Sequence, residues 1–435
     1  MKKKISLLVA GTLTVGLFAG CSGTKNTATG GKTDLLIGLP GGDGVTDMRV
    51  VDNFIAARSD RYNITLDEAG WGDFVQKVKL QMVAKNDVVP VFFIDSAGAM
   101  SFGEQGALKD LSTSVNADLD TEKYSKALTA VTNPEGKLWG VPHAINSIAL
   151  LYNKDIFDEK GVAYPTDEWT FQDMLDVAKT LTFDRDGDGK IDVNGIHYTT
   201  NITQGWYPFM QAYGVSPLSE DFRDSNLNDP LIKDAMTSYA ESFENGSQPN
   251  PADIAAQGGI LAAFADGKVA MCIAQFGNIT TINKFNPDLN YDAAIMPIGW
   301  NGERTCIYVP NVWCIYEGVD QNVYDAAWDW ISYFLNEESQ MLQAESIIAG
   351  FPILNKAMET ISNNGVKPEG KDAFYRGIDA HGTTILENPC SSDVNSLIAA
   401  MCHKISLGEV SVEEGLAETH TELQETLDYF YEQLG

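Results

Sequence analysis

The sequence predicts an α/β protein built on two hydrophobic cores, each a mainly parallel sheet flanked by helices. Two observations carry the prediction. From Asp34 onward short apolar runs alternate with helical patterns, as parallel strand–helix units do. Behind the N-terminal segment lie about 400 residues, too many for one ordinary domain and enough to bury two good cores.

The N-terminus stands apart. MKKKISLLVAGTLTVGLFAG joins three lysines to an apolar run of export-signal length, too short for a stable transmembrane span. Cys21 follows Leu17-Phe18-Ala19-Gly20, which resembles a bacterial lipoprotein signal, with Phe18 where leucine is commoner. Residues 1–20 are therefore expected to be removed, Cys21 to be the lipidated first residue, and the stretch to residue 33 to be a flexible tether to the outer face of the cell membrane. The style of tether suggests a Gram-positive host. An ordinary secretory signal with an incidental cysteine is the alternative.

In the body of the chain, LLIGLP reads as the first strand and GGDG as the loop after it. Val50, Val51, Phe54 and Ile55 share one helical face, and Phe74, Val75, Val78 and Met82 make the next stripe. VVPVFFID is a fully buried strand. Asp43 and Asp95 then fall beyond the carboxyl ends of strands, where ligands gather in such sheets, although a helix cap or loop role explains either one as well. Thr170, followed three places on by Asp173, starts a helix with Phe171, Met174, Leu175, Ala178 and Leu181 beneath it. Helical patterns continue through residues 228–245, 256–266 and 322–347, the last carrying Trp328 and Trp330 as packing residues. Ser411 and Glu414 cap a final helix, and His420 sits at the edge of its apolar stripe. His197, His381 and His403 are scattered, with surface or capping roles expected.

Composition excludes several partners. The net charge of −30 becomes −33 without Lys2, Lys3 and Lys4, a field unsuited to nucleic acid or anionic lipid but indifferent to a neutral ligand. Cys272, Cys306, Cys314, Cys390 and Cys402 are odd in number and lack CxxC spacing, so buried thiols or at most one or two disulfides are expected. GGKT at residues 30–33 precedes the first strand, where a phosphate loop could not work, and GLPGGDG does not fit GxGxxG.

FDRDGDGKIDVNG, residues 183–195, has the spacing of a calcium loop. Asp184, Asp186, Asp188, the Lys190 carbonyl and Asp192 supply five oxygen positions and Gly189 the turn. Position 12, normally a bidentate glutamate, is Gly195, so a structural Ca2+ would need a further ligand from elsewhere. A metal-free Asp/Gly turn is the alternative, at the cost of carboxylate repulsion.

Five stretches then carry a family likeness: GVPHAINSIALLYNKDIFDEKGV, PTDEWTFQDMLDVAKTLT, FADGKVAM, AAWDWISYFLNEESQ and GFPILNKA. In this order they resemble family 1 extracellular solute-binding proteins, the sugar-binding lipoproteins of ABC importers similar to the maltose-binding protein. The resemblance covers essentially the whole mature chain. It implies the two-lobe, type II periplasmic-binding-protein-like fold, with sugar in the interlobe cleft. Residues 34–143 and 297–346 would form lobe 1, residues 148–294 and 350–435 lobe 2, and 144–147, 295–296 and 347–349 the hinge crossings.

The same resemblance implies binding residues. Asp43 lies in the first ligand loop, Trp71 on the next helix and Asp95 at the end of the second strand. His143 and Asn146 precede the YNK landmark, and Trp206 with Tyr207 matches an aromatic platform. Gln275-Phe276-Gly277-Asn278 departs from the family's Gly-then-Trp pattern, leaving Phe276 and Asn278 as open candidates. Asn311 and Trp313 match the strand that re-enters lobe 1. Aromatic faces and planar amides or carboxylates suit a pyranose, whereas an anionic ligand calls for arginines, and none of the arginines joins these positions. The expectation is a monomeric receptor without catalytic residues or enzymatic activity, delivering a neutral sugar, oligosaccharide in size, to permease subunits with an ATPase. A membrane-anchored glycoside hydrolase or lyase, or a polysaccharide adhesin, is the competing reading.

Overall fold

A computed structural model describes residues 31–41, 46–84, 88–133, 135–345, 350–385, 388 and 390–434; the side chains of residues 71, 72, 379, 380, 433 and 434 are not among those described. The leader, Cys21, Asp43, the Trp71 side chain and the 347–349 crossing therefore lie outside the described residues.

Among the described residues ten strands make one continuous sheet: β1 Thr33–Pro40, β2 Tyr62–Ala69, β3 Val91–Asp95, β4 Val141–Asn153, β5 Asn194–His197, β6 Val269–Gln275, β7 Tyr291–Ala294, β8 Cys306–Ile315, β9 Phe351–Pro352 and β10 Gly382–Thr384. Their order is β2-β1-β3-β8-β4-β6-β5, with β10 on β8 and β7 and β9 on β4. The outer pairs β2-β1-β3 and β5-β6 are parallel, as the strand–helix alternation predicts. The antiparallel pairings involve β8 and β4, the strands that run between the halves.

The expected periodicities are filled. Val50, Val51 and Phe54 on helix Met48–Arg58, and Phe74, Val78 and Met82 on helix Trp71–Ala84, bury into the first half. Thr170 and Asp173 form a reciprocal capping box above buried Phe171, Met174, Leu175 and Ala178. Ser411 and Glu414 cap the last helix in the same way, and His420 at its edge shares a hydrogen bond of 3.0 Å with Ser225. All five described cysteines are buried free thiols. Trp300 stacks on Tyr213 at 4.6 Å as a packing residue. His197 is buried at the end of β5, not at the surface, and burial pushes its pKa down to about 3. Among the described residues no helix is long and apolar enough to cross a membrane.

β4 is the main crossing. Its first part pairs with β8 as far as Ser147, and from Ile148 it pairs with β6. The return differs from 295–296: Ile298 bridges both Thr170 and Arg304, so residues up to 304 stay with the second half. Packing of Trp300 against Phe171 and Tyr213 holds that segment there, and the chain re-enters the first half along β8.

Candidate ligand-binding cleft

The cleft is built on the strand ends where the halves meet. Asp95, the last residue of β3, lies directly opposite Asn311 of β8, which in turn lies opposite Ala144 of β4. Paired residues in antiparallel strands project to one face and side chains alternate along a strand, so Asn146 follows Ala144 on that face. Two residues further, Ile148 lies opposite Gln275 of β6. Asp95, Asn311, Asn146 and Gln275 thus make a polar row across otherwise apolar strands. Core packing gives no reason for such a row.

Asp95 and Asn146 are each held by a backbone amide. Asp95 Oδ1 accepts from Gly98 N at 2.7 Å and caps helix Ser96–Glu104. Desolvation raises its pKa, opposed by that amide and by Lys79. Asn146 Oδ1 accepts from Gly277 N at 3.1 Å. Asn278 Oδ1 accepts from Gln204 Nε2 at 3.1 Å and from Gln275 N at 2.9 Å, which makes Asn278 a brace for Gln204 and Gln275. The short segment Ile202–Trp206 packs on β6, β8 and helix Ser391–Ser406. It bends at Gly205, where a Cβ would stand 2.2 Å from the Thr199 carbonyl oxygen. Trp206 follows, fully buried beside Tyr207, and its Nε1 has no partner among the described residues.

The rims of the two halves touch in front of the row. Lys79 Nζ donates to Ser392 Oγ at 2.9 Å, and helix Ser391–Ser406 meets helix Ser96–Glu104. Between them a pocket of about 270 Å³ is lined by Asp95, Lys79, Ser101, Ser391, Asn395 and Ser396, with others. Asn395 Oδ1 is buried there without a partner among the described residues. Lys79, Gln204, Gln275, Ser391, Ser392 and Asn395 escaped the sequence reading. A signal existed in SSDVNS, residues 391–396, whose positions 1, 2, 5 and 6 give one polar helical face.

Three candidates are core residues instead. His143 is the extra residue of the β-bulge between Pro142 and Ala144. There its ring lies 5.2 Å from Phe93, 5.4 Å from Trp313 and 5.4 Å from Phe334, and burial pushes its pKa down to about 3. Trp313 is buried in the same cluster, 5.2 Å from Trp330. Phe276 follows Gln275 on the far side of the sheet, with ring centroids 3.8 Å from Phe351. Asp43 and the Trp71 side chain lie outside the described residues.

The Asp-rich loop is a separate site. Phe183 and Val193 close it by mutual backbone hydrogen bonds. Asp184 accepts from the amides of Gly187 and Gly189, Asp188 from Lys190 N, and Asp192 from Arg185 N. Carboxylate oxygens of Asp184, Asp186 and Asp188 converge within 4.8 Å of one another. An all-oxygen cluster of this size fits a hard divalent cation. Gly195 explains the missing position 12: a Cβ there would stand 1.8 Å from the Ala178 carbonyl oxygen. The close approach of β5 to helix Phe171–Thr180 excludes glutamate.

Fold and cleft together define a two-lobe binding protein. The chain belongs to the bacterial extracellular solute-binding protein family, whose profile matches residues 49–369. It is similar to a candidate binding protein of Brucella abortus strain 2308, 24% identical over 249 residues that make up 57% of this chain and 59% of the relative. The chain thus spans about three fifths of that relative's length. It is 27% identical over 324 residues, 70% of each chain, to the maltodextrin-binding protein MdxE of Bacillus subtilis strain 168. An ABC substrate-binding protein of Listeria monocytogenes in complex with cycloalternan shares the fold, with a TM-score of 0.80 at 18% identity over 91% of this chain and 99% of that one.

Proposed function

We propose that the chain is the extracytoplasmic substrate-binding lipoprotein of a carbohydrate ABC importer, holding a neutral oligosaccharide between its lobes and delivering it to a permease. The observation that carries this reading is the row Asp95, Asn311, Asn146 and Gln275 at the lobe junction. Planar amides and one carboxylate match hydroxyl pairs, and no arginine or lysine stands in the row to favour an anion. The maltodextrin-binding relative supports the same ligand class. Binding does no chemistry on this reading; the ligand favours the closed lobes because it contacts both.

Calorimetry against maltotriose and other oligosaccharides tests it. One saccharide should bind 1:1 at roughly micromolar affinity or tighter without product. Turnover would favour the hydrolase reading, and weak multivalent polymer binding the adhesin. Cys21 is proposed as the lipid attachment, so Cys21→Ser should release the protein from membranes; retention would refute the anchor. A structural Ca2+ is proposed on Asp184, Asp186 and Asp188, with Asp192 and the Lys190 carbonyl as further ligands. Calcium should raise the melting temperature of the wild type and not of Asp186→Ala; equal responses would refute the assignment.

A further inference from the structure

A second pocket, of about 360 Å³, lies behind the crossing strands. Asn146 and Val309 form the pair that faces the cleft, and the next pair, Ser147 and Tyr308, faces the other way. Ser147 Oγ donates to Phe374 O at 3.1 Å, which fixes that side as the one covered by helix Asp372–His381. Tyr124, Tyr308 and Tyr375 line the pocket, with Met358 beneath and Lys126 and His381 exposed at its rim.

Its chemistry differs from that of the cleft. No carboxylate lines it, in a chain whose 60 acidic residues outnumber 30 basic ones. Most described lysines pair with acids, carbonyl oxygens or rings. The Lys126 ammonium has no ion pair, hydrogen bond or aromatic ring against it among the described residues. An unpaired cation in a strongly acidic protein, beside three half-buried phenol rings, calls for an anionic group on a flat apolar body.

We propose that this pocket is a second binding site, for a small organic anion of the aromatic carboxylate class. The tyrosine rings take the flat body, Lys126 takes the carboxylate, and the volume falls within the range of small-molecule sites. The site does not depend on the sugar reading.

Benzoate is the probe, titrated into the whole mature protein and followed by calorimetry or ligand-observed NMR. It should bind 1:1 with a Kd on the order of 0.1–1 mM, the range open to so small a ligand. Lys126→Ala should weaken benzoate at least about fivefold and Lys126→Arg should not, since only the first removes the charge. Uncharged benzamide should bind at least about fivefold more weakly than benzoate. Maltotriose should not displace benzoate, and Lys126→Ala should leave saccharide affinity unchanged. Absence of saturable benzoate binding up to about 10 mM, binding indifferent to Lys126→Ala, or displacement by maltotriose would each overturn the proposal.

Discussion

Asp95→Asn separates the two tasks of one side chain. Asp95 caps helix Ser96–Glu104 through the Gly98 amide and stands in the polar row opposite Asn311. Asparagine caps a helix about as well as aspartate, so the cap survives the change. What is lost is charge. A hydrogen bond from a sugar hydroxyl to a carboxylate contributes about 1.5–3 kcal/mol, roughly twice a neutral one, so exchanging it for a neutral one loses about 0.75–1.5 kcal/mol and affinity should fall about three- to tenfold. Stability should not fall, because burial already disfavours the ionised carboxyl. With its pKa raised in the folded state, Asp95 contributes stability that is present below its ordinary 3.8 and lost as pH rises through the raised value; the variant lacks that loss. Calorimetry with the bound saccharide and urea unfolding at neutral pH read the two effects. Unchanged affinity, or a clear drop in stability, would refute the reasoning.

Trp206→Phe removes the unpartnered Nε1 and leaves a cavity where the second ring stood in a fully buried site, so stability should fall by about 1–3 kcal/mol in urea unfolding; an unchanged midpoint counts against the buried placement. His143→Phe should blunt acid denaturation. With its pKa pushed down to about 3, His143 withholds a proton that the unfolded chain accepts, so stability is lost as pH falls from 6.5 towards 3. Urea midpoints across that window should fall less steeply in the variant, and an identical slope would refute the buried-neutral assignment. Gly195→Glu restores the position 12 ligand on paper, but the Cβ contact with Ala178 should cost at least about 2 kcal/mol. A stable variant with tighter calcium binding would overturn the packing argument.

Periodic elements were legible because local rules fix them. Thr170 with Asp173 and Ser411 with Glu414 predict helix starts, and the stripes they introduce are buried. Asp95 is legible from its place at a strand end, whereas Asn146 and Asn311, inside β4 and β8, are candidates only through the family resemblance. Alternation along β8 puts Asn311 and Trp313 on one face, yet Trp313 packs in a ring cluster with His143, the extra residue that the bulge between Pro142 and Ala144 adds to β4. No local propensity marks such an insertion, because it is set by pairing with β8, far along the chain. The contacts from Lys79 and Ser392 were hidden for the same reason: 313 residues separate them.

The polar group left open at the lobe contact bears on how a ligand could drive closure. Lys79–Ser392 is one hydrogen bond at a partly exposed rim, worth little by itself. Asn395 Oδ1, by contrast, lines the pocket between the rims and is buried without a partner among the described residues when they touch. Such a group costs about 1–3 kcal/mol, so the contact form carries that penalty until something supplies a donor. A ligand rich in hydroxyl groups can supply it, and only in the closed arrangement. Reversing a two-state population from 1:99 to 99:1 takes about 5.5 kcal/mol of differential binding, of which relief of that penalty is one part. An apolar ligand of the same size would leave the group unsatisfied and gain less preference for the closed form. The orphaned amide oxygen therefore makes closure selective for hydroxylated ligands as well as responsive to them.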